Sequence, residues 1–192
     1  MKHIKAVLFD LDHTLWDFEA NSRQTIAELF DRNRIGLLYG VEFPEFISVY
    51  ERINHSMWTA YSIGELSKSS LRKGRFSMTL DHFGIHDEQL AECLAEDYVQ
   101  ESPRKTNLFP FVHESLTYLK QKYKLGLITN GFAEVQTVKI RQSNLSGYFD
   151  PVVISEQVGF KKPDPTIFQH AASLCGIHVS SCLMIGEWLL KY

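Results

Sequence analysis

The chain has 192 residues, is 44% hydrophobic and 22% charged, and carries a formal net charge of −3. That length suits one domain with a smaller insertion, able to bury roughly 70% of its unfolded surface without disulfides or a structural metal. Nothing in the near-neutral total predicts binding to nucleic acid or anionic lipid, and Cys93, Cys175 and Cys182, odd in number and without CxxC spacing, argue against a disulfide framework or zinc site and fit a reducing, cytoplasmic compartment.

Two lysines precede the apolar run Ala6-Val7-Leu8-Phe9, which Asp10 ends. The run is too short for a signal peptide, and no later run approaches a membrane span. Residues 4–9 instead read as a β-strand, and residues 125–129, 152–155 and 183–185 read the same way. Each is aliphatic or β-branched and is followed by polar, Gly or Asp residues. Runs of this kind, alternating with amphipathic stretches, predict an α/β fold: a Rossmann-like parallel sheet flanked by helices.

Between the first and second strands, residues 17–106 read as helical almost throughout. Apolar residues recur at three- and four-residue spacing over 22–34, 45–61, 68–83 and 88–100, with Ser67 as a cap and Gly84 and Pro103 marking ends. The basic cluster Arg72, Lys73 and Arg75 falls in this block and reads as a solvated helix face. The block is a helical insertion on a sheet-based core of residues 1–16 and 107–192. It begins at the mouth where α/β sheets bind ligands, so a cap there could close over a site and exclude water. Trp58, Tyr61 and Arg75 are its candidates for substrate contact.

The chemistry concentrates at the strand ends. The first strand runs into Asp10-Leu11-Asp12-His13-Thr14, two acids able to face one crevice. The second ends in Thr129-Asn130-Gly131, a hydroxyl followed by peptide N–H groups that would open a helix N-terminus and bind an anion. The third leads to Lys162, stiffened by Pro163 and Pro165. In a parallel sheet these ends share one edge, so Asp10, Asp12, Thr129 and Lys162 are expected to converge. Acids, a hydroxyl and a fixed cation suit phosphoryl transfer better than they suit a core.

Asp10-Leu11-Asp12-His13-Thr14 resembles the DxDxT first motif of the haloacid dehalogenase-like hydrolase superfamily. Thr129-Asn130-Gly131 and Lys162 with Pro163-Asp164-Pro165 are similar to its second and third motifs, and the helical block stands where that superfamily carries a helical cap. Thr14-Leu15-Trp16-Asp17-Phe18-Glu19 with Asn21-Ser22, and Phe132 with Val135-Gln136, look like its pyrimidine 5′-nucleotidase branch. The resemblance implies a magnesium-dependent phosphatase of nucleoside 5′-monophosphates such as dUMP and dTMP. Phosphatases of sugar phosphates or phosphoglycolate, and a non-catalytic relative, are the other readings. By the same resemblance Asp10 would be the nucleophile and Asp12 the general acid and base, while Thr129, Asn130 and Lys162 would bind phosphate. Dehalogenases of the superfamily generally lack an acid at the second position, so Asp12 favours the phosphatase.

The fourth motif departs from the pattern. Gly186-Glu187 stands where Gly-Asp is usual, and Lys191 or Tyr192 occupies the place of a second acid. Asp10, Asp12 and Glu187 are therefore the expected magnesium ligands, with the missing acid acting through water. The superfamily fold would continue with another helix and an edge strand. The strand at 183–185 is accordingly expected to be an exposed edge that could pair with a second copy.

Overall fold

The computed structural model describes residues 3–187. The chain divides into two compact units, one comprising Met1–Asn21 and Pro103–Tyr192, the other Ser22–Ser102. These boundaries fall a few residues inside the expected helical block.

The first unit is built on four parallel strands in the order β3-β2-β1-β4: β1 (Ala6–Phe9), β2 (Lys124–Thr129), β3 (Val152–Ile154) and β4 (Cys182–Ile185). Side chains alternate across a pleated sheet, and here both faces are covered. Val7, Phe9, Leu125 and Leu127 pack with Val112, Leu116 and Ile140 on one side. Ala6, Leu8, Ile128 and Val153 pack with Ile167 and Ala171 on the other. The helices supplying these partners are α6 (Val112–Lys120), α7 (Ala133–Gln142) and α9 (Pro165–Leu174). This is the α/β class expected from the four apolar runs. Among the described residues β4 lies at the sheet margin, and its Leu183 and Ile185 are exposed.

The strand predicted over 152–155 stops one residue early. Ser155 opens a single turn, α8 (Ser155–Val158), which ends at Gly159 with φ of 80°, a backbone region that favours glycine.

The second unit is all helical. Helix α1 (Phe18–Arg32) enters it, followed by α2 (Ile35–Tyr39), α3 (Phe43–Ser62), α4 (Lys68–His82) and α5 (Glu88–Glu101). Phe30, Phe46, Tyr50, Phe76, Leu80, Leu94 and Tyr98 form its core. Ser67 caps α4 by accepting from the Ser70 N–H, and Asp87 caps α5 through the Leu90 N–H. The separate turn α2 was not foreseen; Arg34 in the left-handed region breaks the helix before it, and Gly40 ends it. No helix among the described residues is long and apolar enough to cross a membrane.

Candidate active site

The site begins where β1 stops. Leu11, Leu15 and Trp16 are buried, and the Leu11 carbonyl accepts from both the Leu15 and Trp16 N–H groups, closing a tight turn. His13 sits in this turn at φ of 59°, a left-handed conformation that histidine adopts more readily than most residues. The buried apolar side chains anchor the turn, and its two acids are left pointing at polar partners.

Each acid has its own lysine. Asp10 Oδ2 lies 2.5 Å from Lys162 Nζ, and its Oδ1 accepts from the Leu11 N–H at 2.7 Å. Asp12 Oδ1 accepts from Lys139 Nζ at 2.6 Å, and its Oδ2 accepts from Gln136 Nε2, also at 2.6 Å. The two carboxyls are driven in opposite directions. Burial pushes Asp10 above the ordinary carboxylate range; Lys162 offsets this only in part, and the charge of Asp12 adds to it. Burial also pushes on Asp12, but Lys139 and Gln136 together outweigh it and hold that carboxyl below its ordinary value.

Thr129 ends β2 and is buried. Its Oγ1 accepts from Gln136 Nε2 at 2.9 Å and from the Gly131 N–H at 3.2 Å, so the hydroxyl proton is left to donate elsewhere. Lys162 is delivered by the loop after β3. Its Nζ also donates to the Ile128 carbonyl at 3.0 Å, while its main chain is clamped by Asn130: Nδ2 donates to the Lys162 carbonyl at 2.9 Å, and Oδ1 accepts from the Lys162 N–H at 2.8 Å. The structure thus brings Asp10, Asp12, Thr129, Asn130 and Lys162 to one sheet edge. It differs from expectation at the turn after β2. Helix α7 starts only at Ala133, and the Gly131 N–H is turned back onto Thr129. The Asn130 side chain positions the lysine loop.

Glu187 follows β4, which pairs with β1 through Phe9 and Ile185. Its N–H donates to Thr14 Oγ1 at 3.1 Å, and its carboxylate is exposed, 3.8 Å from His13 Nδ1. The preceding Gly186 lies against Asp10, where a Cβ would come within 2.9 Å of Asp10 Cβ. Asp10 and Glu187 therefore stand at the ends of adjacent strands. Two carboxylates suit magnesium, which keeps several waters and takes one or two such ligands. The Asp12 carboxylate fits less well than expected, since both of its oxygens are engaged by Lys139 and Gln136. No cluster of three or more His, Cys, Asp or Glu able to hold a metal occurs among the described residues. Residues 188–192, and with them Lys191 and Tyr192, lie outside those residues.

The substrate candidates of the helical unit are placed differently from one another. Trp58 and Tyr61 on α3 are half-buried and meet edge to face, with ring centroids 5.5 Å apart. Arg75 on α4 does not lie on a solvated face. Its guanidinium is buried in the core of that unit, 4.4 Å over the Tyr98 ring, and donates to Asn54 Oδ1 at 3.2 Å. Stacking on aromatic rings offsets the cost of burying such a cation.

Sequence reasoning missed Lys139, and it quoted Gln136 only as part of a resemblance. Both are buried on α7, at the spacing that puts them on one face with Ile140. Polar residues in the phase of a buried helical face are the signal that marks them. The Gln136 Oε1 atom is buried with no partner among the described residues, an arrangement that ordinarily costs about 1–3 kcal/mol. Gly131 makes room for this amide, for a Cβ there would lie 1.8 Å from Gln136 Nε2.

Comparison with known proteins gives the site its context. The sequence model of the haloacid dehalogenase-like hydrolases matches residues 4–188. The chain is 30% identical over 187 residues to pyrimidine 5′-nucleotidase PynA of Streptococcus pneumoniae, covering 96% of this chain and 76% of that one. It is 30% identical over 183 residues to pyrimidine 5′-nucleotidase YjjG of Escherichia coli, covering 94% and 76%. The structure of the HAD-hydrolase YfnB from Bacillus subtilis, bound to magnesium, superposes with a TM-score of 0.85 at 26% identity over 97% of this chain and 81% of that one. The chain belongs to the haloacid dehalogenase-like hydrolases, and it is a phosphatase of that family.

Proposed function

We propose that this haloacid dehalogenase-like hydrolase is a magnesium-dependent phosphomonoesterase that works through an aspartyl-phosphate on Asp10 and acts on nucleoside 5′-monophosphates. The observation that carries this reading is the pair of aspartates at the end of β1, each held by its own lysine, with Gln136 bridging Asp12 to the hydroxyl of Thr129.

An ionised Asp10 attacks phosphorus as the bond to the leaving oxygen breaks. Lys162, beside that nucleophile, holds it in place and neutralises charge on the transferring group, and the free hydroxyl proton of Thr129 binds a phosphoryl oxygen. Asp12 protonates the leaving alkoxide and then takes the proton of the water that hydrolyses the acyl phosphate. Magnesium held by Asp10 and Glu187 would supply further neutralisation of phosphate charge. The substrate class is supported by the two relatives named as pyrimidine 5′-nucleotidases and by the residues around Trp16 and Gln136. Asp12 also favours this chemistry over dehalogenation, because a departing halide needs no proton.

The test is phosphate release from dUMP, dTMP, a sugar phosphate and an aryl phosphate, with magnesium and with chelator, beside Asp10→Asn. Magnesium-dependent turnover that favours the nucleotides and vanishes in the variant is expected. Preference for the sugar phosphate would overturn the substrate class. Absence of turnover by folded protein at high magnesium would overturn the whole reading.

A further inference from the structure

We propose that Lys139 and Gln136 are positioning residues for the second half of the reaction, orienting the Asp12 carboxylate as the base that takes a proton from the hydrolytic water. This rests on the phosphatase reading above and deepens it.

The geometry is specific to that task. Lys139 donates to Asp12 Oδ1 and Gln136 to Oδ2, each at 2.6 Å, so both carboxylate oxygens are presented as acceptors. Two donors fix the plane of the carboxylate, and each oxygen keeps a further lone pair for water. Donors on both oxygens favour the ionised carboxylate over the acid. The observed arrangement is therefore the one suited to accepting a proton from water.

The donors are themselves rigid. The Lys139 ammonium is almost fully enclosed and lies 3.9 Å over the Trp16 ring and 5.4 Å from that of Phe18, a slot shaped for a cation. Gln136 bridges Asp12 and Thr129 and so ties the end of β1 to the end of β2. Its passage depends on the missing side chain of Gly131. An ion pair serving only the core would need neither the bridging amide nor the glycine.

The step balances as follows. Water oxygen forms a bond to phosphorus while one of its protons passes to the Asp12 carboxylate. The bond between phosphorus and the Asp10 oxygen breaks, which restores the Asp10 carboxylate and releases inorganic phosphate.

The test separates the two halves with 4-nitrophenyl phosphate, whose leaving phenolate needs no acid. In magnesium, Lys139→Met is expected to keep a rapid burst of nitrophenolate close to one per active site. Its steady-state rate should fall by about 10²-fold, the size of a general-base contribution, with phosphate accumulating on the Asp10 peptide after acid quench. Gln136→Met, which leaves the buried ammonium in place, should show the same pattern to a smaller degree and serves if the lysine variant fails to fold. Loss of rate without a burst or trapped phosphoenzyme, or rates within twofold of wild type, would overturn the positioning role. Failure of wild type to turn over any phosphomonoester would instead overturn the phosphatase reading, so the two failures are distinct.

Discussion

The side chain of Asn130 is bonded twice to the main chain of Lys162, donating to its carbonyl at 2.9 Å and accepting from its N–H at 2.8 Å. An amide at the end of β2 thereby sets the position of a cation that arrives from the loop after β3. Lys162 Nζ then reaches Asp10 from a fixed base.

Asn130→Ala removes both bonds and leaves the lysine charge intact. Loss of about 1–2 kcal/mol in urea unfolding is expected from two hydrogen bonds. Phosphatase activity should fall by less than the roughly 10²–10³-fold expected from losing the Lys162 contact itself. Steady-state kinetics of Asn130→Ala beside Lys162→Met measures the difference.

Gly131→Ala tests the close approach of Gln136. The new Cβ would meet Gln136 Nε2 at 1.8 Å, so the amide must leave Asp12 and Thr129. Overpacking of this kind costs about 1–3 kcal/mol, and activity should fall with it. Combining Gly131→Ala with Gln136→Ala should recover the stability but not the activity, which thermal melts and turnover of the double variant would check.

Glu187→Gln tests the proposal that Asp10 and Glu187 hold magnesium. The magnesium concentration for half-maximal turnover should rise by at least the roughly 10–100-fold seen when a group supporting a metal ligand is lost, with a smaller change in rate at saturating metal. Magnesium titrations followed by turnover and by calorimetry measure the two effects. An unchanged magnesium requirement would remove Glu187 from the site.

The opposite shifts of the two aspartates predict opposite effects on stability. Asp12 titrates lower in the folded chain than its ordinary value of about 3.9. Its charge therefore stabilises fully above that pH, and the contribution is lost as pH falls through the folded value. Asp10 titrates higher when folded, so folding favours its protonated form, and that stabilisation fades as pH rises through the folded value. In chelator at pH 7, Asp12→Asn should lower the melting temperature and Asp10→Asn should raise it. The Asp10 difference should shrink as pH is lowered through the ordinary carboxyl value of about 3.9, and the Asp12 difference only as pH falls further, through that group's lower folded value. Melts across that range decide it.

By itself the sequence determined the α/β class, four strands within a residue or two of their true limits, and the helical block. Buried parallel strands must be continuously apolar, and surface helices must be amphipathic, so both patterns are local and visible in one dimension. It also placed Asp10, Asp12 and Thr129 at strand ends and Lys162 in the loop that follows β3, because the parallel topology that brings such ends together follows from the alternation of elements. The turn α2 escaped because it depends on the left-handed backbone of Arg34, which arginine does not advertise. Arg75 was misjudged for a different reason: whether a cation on a helix is solvated or stacked depends on which aromatic rings, here Phe76 and Tyr98, other parts of the unit bring to it. Lys139 and Gln136 were decided only by tertiary structure. They lie more than 120 residues from Asp12, and nothing local to either segment requires the other. A buried ammonium is tolerable only where a distant carboxylate and an aromatic slot meet it together, and that meeting is a property of the folded sheet edge.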